Sequence, residues 1–221
     1  MSKDVTIPSA GPDFENLLGQ EVVIEATQAE DTRTGAQRIE PDHSPRTRPG
    51  EGAHVLAPAL KVGHELQQEV EQLLYRQAEL LDAKQWQAWM DLFDVQGVYW
   101  MPVQPEQTEW QGSPSIFAED KLMMEIRMGR VKHPNAWSQA PMWETNHLVS
   151  HVAIEAADNQ TMQVRSRFHM MELRRDSVRH FGGSYRHSLV RDASGALRIR
   201  LQRVDLFNGQ APFDYVLQIW V

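Results

Sequence analysis

Residues 143–152 read Trp-Glu-Thr-Asn-His-Leu-Val-Ser-His-Val, and whether this stretch is helix or strand decides the fold. On a helix, His147 and His151 would share one face about 6 Å apart and could grip a single metal ion. Leu148, Val149, Val152 and Ile154 favour a strand instead, because β-branched and apolar side chains suit a pleated surface. Four residues along a strand span roughly 13 Å. Two imidazoles so far apart do not easily bind one ion at about 2 Å each. The stretch therefore reads as a strand whose histidines are satisfied locally.

Working downstream, everything after Pro141 reads as strand: 147–156, 161–175, 179–192 and 197–207. Ala-Ala-Asp-Asn-Gln, Asp176-Ser177 and Asp-Ala-Ser-Gly (192–195) break the runs, and the last is a tight-turn candidate. The expectation is a meander of long antiparallel strands. Gly182-Gly183 falls inside one of them and predicts a bulge or a close backbone approach.

Upstream the period changes. From His64 to Phe93, Leu66, Val70, Leu73, Leu74, Ala78 and Leu81 recur at helical spacing with Glu, Gln and Arg opposite, which predicts an amphipathic helix. A second short helix is expected to carry Trp86, Trp89, Met90 and Phe93 as core. Residues 97–103 (Gly-Val-Tyr-Trp-Met-Pro-Val) predict a strand stopped by Pro102. Residues 105–117 read as loop. Residues 118–131 read as a helix with Leu122, Met123, Ile126 and Met128 on its apolar face. Helices first and a curled sheet afterwards predict an α+β domain whose helices cover the concave side.

Residues 1–63 hold six of the twelve prolines but one aromatic, Phe14, of eighteen. Such a segment buries little apolar surface. It predicts an extended arm, mobile or laid on a partner, with the domain over 64–221.

The formal charge of −8 and the pI near 5.6 argue against a nucleic-acid or anionic-membrane surface. No apolar run approaches a membrane span, and the start lacks the apolar core of a secretory signal, so a cytoplasmic protein is expected. The chain has no cysteine. That removes disulfides, thiol nucleophiles and iron–sulfur ligation by this chain together.

Two clusters could still carry chemistry. His169, His180 and His187 lie on neighbouring predicted strands, but nothing in their spacing demands convergence, so no native metal is expected. Asp91 and Asp94 follow the second helix, where a carboxylate could serve as general base with His147. The plainer reading is a solvated helix end before a turn.

Four pieces, in order, carry a resemblance: Glu-Val-Glu-Gln-Leu-Leu-Tyr-Arg-Gln-Ala-Glu-Leu-Leu-Asp (69–82), Tyr-Trp-Met-Pro-Val (99–103), Thr-Asn-His-Leu-Val-Ser-His-Val (145–152) and Arg-Ile-Arg-Leu-Gln-Arg-Val-Asp-Leu-Phe-Asn (198–208). From about Gln67 the chain resembles the small (β) subunit of Rieske non-heme iron aromatic-ring-hydroxylating dioxygenases. That family often has Asn where this chain has His151, and the arm here is longer than is usual in it.

The resemblance implies a cone-shaped NTF2-like, cystatin-like α+β fold with helices packed on a long curved antiparallel sheet. It implies a large α oxygenase subunit as partner, in an α3β3 hexamer, with the Rieske [2Fe–2S] cluster and a mononuclear Fe(II) held there. Ferredoxin or reductase would act through that subunit, with electrons from NAD(P)H. It assigns this chain no cofactor and no catalytic residue, and makes it an assembly subunit. Tyr99, Trp100, Arg203 and Asp205 are expected to help position the partner. Two other readings stay open: a stand-alone dehydratase or isomerase of SnoaL-like type using Asp94 with His147, and a binding module with the cone as its pocket.

Overall fold

The computed structural model describes residues 58–136, 143–207, 209 and 217–221. The chain divides into two units, 1–53 and 54–221, and every described residue belongs to the second. Of the arm expected over 1–63, residues 1–57 lie outside the described residues. Leu60 N, near its end, donates to Ile154 O at 2.7 Å.

Helix α1 (His64–Asp82) buries Val70, Leu74, Ala78 and Leu81 as the periodicity predicts, together with Gln77 and Leu80. Leu66 and Leu73 pack partly buried against the same core. Helix α2 (Trp86–Met90) is shorter than expected. Strand β1 (Phe93–Pro102) begins at Phe93, which the sequence reading had placed on the helix. Phe93 pairs with Ile199, and the register then shifts before Val98. Gly97 sits at that irregularity. A Cβ there would lie 2.7 Å from Phe93 Cβ and 2.8 Å from Asp94 O, so only glycine fits.

Strand β2 (Ser115–Asp120) corrects the expectation of loop running into helix at Ala118. Phe117 and Glu119 turn inward while Ala118 and Asp120 face out, a strand alternation too short to separate from the loop by periodicity. Asp120 then caps helix α3 (Lys121–Lys132), its Oδ1 accepting from Met123 N at 2.9 Å.

The cap fixes which face of α3 looks inward. Met124 and Val131 are buried, and Lys121 Nζ reaches Met90 O at 2.9 Å. Leu122, Met123 and Ile126, expected as its core face, are exposed.

Strands β3 (Glu144–Ala157), β4 (Thr161–Arg174), β5 (Ser177–Arg191) and β6 (Leu197–Leu206) form the antiparallel meander read from the sequence. The β5–β6 turn is the predicted one, closed by Gly195 N to Asp192 O at 2.9 Å with Gly195 at φ +87°. The sheet order is β2-β1-β6-β5-β4-β3. One contact departs from an antiparallel sheet, since β1 runs parallel to β6. Strand β1 is buried from Gly97 to Pro102 and so takes a hydrogen-bonded neighbour on each edge, β2 and β6.

The β4–β5 register runs through Gly182 and Gly183 without a shift, so the pair marks a close approach and no bulge. A Cβ on Gly183 would collide with Asp205 O on β6.

The inward faces of the strands, α1, α2 and residues 217–221 enclose one core. Trp89 stands at its centre, with ring centroids 4.9 Å from Phe93, 5.9 Å from Tyr99 and 4.5 Å from Trp220. Helices on one face of a curved mixed sheet make this an α+β, NTF2-like domain. Among the described residues no helix is long and apolar enough to cross a membrane.

Candidate functional site

His147 enters the interior from β3 with its side chain 1% exposed. Its partner is Asp82, the last residue of α1, and this replaces the pairing with Asp94 drawn from the sequence. Asp82 Oδ1 lies 2.6 Å from His147 Nδ1 and accepts from Thr145 Oγ1 at 2.9 Å, while Oδ2 accepts from His147 N at 2.9 Å. Burial pushes the Asp82 carboxyl up, but the His147 ring, its backbone N–H and Thr145 together outweigh burial and hold it below the usual range.

Asp94 lies instead on β1. Its Oδ1 accepts from Gln96 N at 2.9 Å and ion-pairs with Arg200 at 3.0 Å. Asp91 is exposed and accepts from Gln87 at 3.1 Å. Neither joins His147. The sequence carried one sign of Asp82: a carboxylate in the last turn of a helix opposes the dipole, and such an acid needs a specific partner.

His147 Nε2 has no hydrogen-bond partner among the described residues and faces a small cavity lined by Gln77, Leu81, Val149 and Tyr185. The cavity holds about 10 Å³, the space of a single water. An unpartnered imidazole nitrogen is thus present, but among the described residues a substrate has no room beside it.

Of the three histidines His169, His180 and His187, two come together and the third lies on the other face of the sheet. His187 points into the core, 1% exposed, and burial lowers its pKa to about 3. His169 and His180 lie on the opposite face of the sheet, where their rings stack at 5.1 Å with His180 Nδ1 3.1 Å from His169 Nε2. His151 is exposed at φ +54°, at a register shift of β3, with Nδ1 2.9 Å from Ser150 Oγ. His147 and His151 thus differ in burial and in partners. Among the described residues no group of three or more His, Asp or Glu is arranged to hold a metal ion.

Of the four residues expected to meet a partner, Trp100, Arg203 and Asp205 contact one another, and Tyr99 points into the core. Tyr99 is fully buried; its hydroxyl donates to Val221 O at 3.0 Å and accepts from Val221 N at 2.9 Å. Trp100 is buried beneath the Arg203 guanidinium, 4.6 Å from its ring, and its Nε1 donates to Ser115 Oγ at 3.0 Å. Arg203 in turn grips Asp205 at 2.7 Å and donates to Pro105 O at 2.6 Å and to Gln107 O. Arg203 and Asp205 reach the surface at its edges. Tyr99 and Trp100 are buried.

Sequence reasoning missed a further polar group in the core. Glu119 of β2 accepts from Trp220 Nε1 at 2.9 Å and pairs with Arg127 of α3. Alternation over 115–120 was the available signal, hidden by the short run.

Comparison with known proteins adds a family to this geometry. The family model described as the ring hydroxylating beta subunit matches residues 76–210. The 2-halobenzoate 1,2-dioxygenase small subunit of Burkholderia cepacia is 26% identical over 140 residues, covering 61% of this chain and 84% of that protein. The benzene 1,2-dioxygenase subunit beta of Pseudomonas putida is 32% identical over 145 residues, covering 61% and 78%. Among solved structures, the benzoate 1,2-dioxygenase beta subunit of Burkholderia mallei superimposes with a TM-score of 0.57 at 25% identity, over 72% of this chain and 99% of that one.

Proposed function

The chain belongs to the ring-hydroxylating beta-subunit family, and from that premise we propose that it is the non-catalytic assembly subunit of an aromatic-ring-hydroxylating dioxygenase. One observation of the structure carries the non-catalytic part. Among the described residues, the buried acid–histidine pair faces space for about one water, too little for a substrate beside it.

In this reading the chemistry belongs to a large α subunit, which holds the Rieske [2Fe–2S] cluster and mononuclear Fe(II). A Rieske centre takes two Cys and two His, and this chain has no Cys. The complex would add both atoms of O2 to an aromatic ring, giving a cis-dihydrodiol in the cytoplasm, with NAD(P)H electrons arriving through a ferredoxin or reductase. An α3β3 hexamer is the expected assembly. Arg203 and Asp205 would shape the contact, with Trp100 beneath the Arg203 guanidinium and Tyr99 holding the same strand from the core side.

Co-expression with a ring-hydroxylating large subunit from the same genome tests this. The expected result is a stable complex whose iron is lost when the large subunit is omitted. A lone chain that stays monomeric and ignores the large subunit would overturn it.

The open His147 Nε2 favours a second reading, an acid–base dehydratase or isomerase, with Asp82 in the place first given to Asp94. Turnover of a small hydroxy or carbonyl compound by the purified chain, abolished in His147→Gln, would carry that reading instead.

A further inference from the structure

Three arginines stand side by side across the sheet face turned away from the core. Arg165 of β4 pairs in register with Arg186 of β5, and Arg186 pairs with Arg203 of β6. Side chains directly opposed in this way have Cβ atoms about 4.5–5.5 Å apart, and like charges so placed repel. The outer two are compensated. Glu155 pairs with Arg165 at 2.8 Å, and Asp205 with Arg203 at 2.7 Å. Arg186, between them, is exposed, and among the described residues no carboxylate lies in ion-pair range of it.

The middle arginine opens onto a cleft of about 260 Å³. Its floor is the next row of the sheet, Gln163, Ser188 and Leu201, where Gln163 Nε2 donates to Ser188 Oγ at 3.2 Å. Its wall is the loop that follows β1. Arg203 fixes that loop by donating to Pro105 O at 2.6 Å and to Gln107 O, and Gln107 Nε2 donates onward to Pro114 O at 2.9 Å. Trp100 lies under the Arg203 guanidinium and supports it from the sheet. The cleft is thus bounded by backbone held in place.

The lining limits what can bind. One uncompensated guanidinium offers a fork of N–H donors to a single negative charge, a geometry that a carboxylate matches with two oxygens. Leu201 and Pro105 add apolar surface, which a bare inorganic ion leaves unused. Glu106, the one acid among the lining residues, opposes a second negative charge and so favours a monoanion over a phosphate dianion. The volume falls just under the roughly 300–1,000 Å³ of drug-sized pockets, which suits a molecule of one ring or a short chain.

We propose that this cleft binds a small organic monocarboxylate, with the carboxylate on Arg186 and the apolar body against Leu201 and Pro105. The site stands on the arginine row and the cleft beside it, independently of the assembly role.

The test uses the full chain, with benzoate as the probe, benzamide as its uncharged counterpart and inorganic phosphate as the bare anion. Ligand-observed NMR and thermal melting read binding in the wild type, Arg186→Gln and Glu106→Gln. Arg76→Gln, which removes an exposed arginine of α1, is the comparison. Far-UV circular dichroism checks that each is folded.

Benzoate is expected to bind the wild type at one site and to raise its melting temperature. Benzamide on the wild type, and benzoate on Arg186→Gln, should bind about tenfold more weakly or worse, the loss expected when a hydrogen bond to a charged group is removed. Glu106→Gln should bind benzoate more tightly, and Arg76→Gln as the wild type does. Without ligand, Arg186→Gln should melt no lower than the wild type, because the repulsion in the row is relieved. A folded wild-type chain that does not bind benzoate overturns the proposal, as does undiminished binding in Arg186→Gln. Phosphate or benzamide binding as tightly as benzoate also overturns it, since charge alone or the apolar wall alone would then be recognised.

Discussion

Trp220 Nε1 donates to Glu119 Oε2 at 2.9 Å inside the core, and Arg127 holds the same carboxylate from α3. One buried acid thus joins residues 217–221, the edge strand β2 and the helix that follows it. Buried charges of this kind are stable only while every partner is present.

Replacing Trp220 separates packing from hydrogen bonding. Trp220→Phe keeps most of the ring but removes the donor, and should cost about 1.5–3 kcal/mol, the range for a hydrogen bond to a charged group. Trp220→Ala adds a cavity beside Trp89 and should cost about 3–5 kcal/mol. Equilibrium urea unfolding measures both. Equal costs for the two variants would mean that the hydrogen bond contributes everything and the packing nothing, contrary to the ring contact described.

Asp82 makes stability depend on acid in a defined direction. Its folded pKa is below the unfolded value, so its contribution is complete above the ordinary aspartate value of about 3.9 and is lost as pH falls through the lower folded value. Asp82→Asn should therefore be less stable than the wild type at neutral pH, with the gap closing under acid conditions. A gap that stays constant from neutral pH to below pH 3 would show that the carboxylate charge plays no part.

His187 works over a different window. Its folded pKa is about 3, while an unfolded histidine titrates near 6.5. Between these values the unfolded chain takes up a proton that the folded one refuses, so stability falls as pH drops from about 6.5, by up to about 1.4 kcal/mol per pH unit. His187→Leu should flatten this slope. Unchanged slopes in the two proteins, measured by denaturation at pH 7, 6 and 5, would place the acid sensitivity elsewhere.

At His151 the backbone is left-handed, with φ +54°. Asn and His tolerate that region far better than β-branched residues do. His151→Asn should therefore be neutral to slightly stabilising, and His151→Val should cost about 1–3 kcal/mol. Thermal melts of the pair decide it, and a valine variant as stable as the asparagine one would remove the backbone explanation.

Much of the architecture was legible because long elements declare their period. Nineteen residues of α1 and the four strands after Pro141 repeat their patterns often enough to be read one by one. The parallel β1–β6 contact was not, because pairing between strands 100 residues apart leaves no local mark. Strand β2 hid in six residues, and α3 misled because its apolar residues at 122, 123 and 126 face outward. The acid–histidine pair was half legible. His147 stood out as a residue type in a strand, whereas choosing Asp82 over Asp94 required knowing where α1 ends against β3. The burial of Tyr99 and Trp100 was not legible, since it depends on Val221 and Ser115, contacts set by the fold and not by local pattern.

The place of β1 has a consequence for biogenesis. Its neighbour β6 leaves the ribosome after every other strand among the described residues, and Tyr99 pairs with Gln202 across that seam. Until then β1 exposes a naked apolar edge of the sort that nascent chains lose to aggregation or to chaperones. Maturation of the domain accordingly waits for β6, and the time between synthesis of the two strands sets how long the newborn polypeptide needs protection.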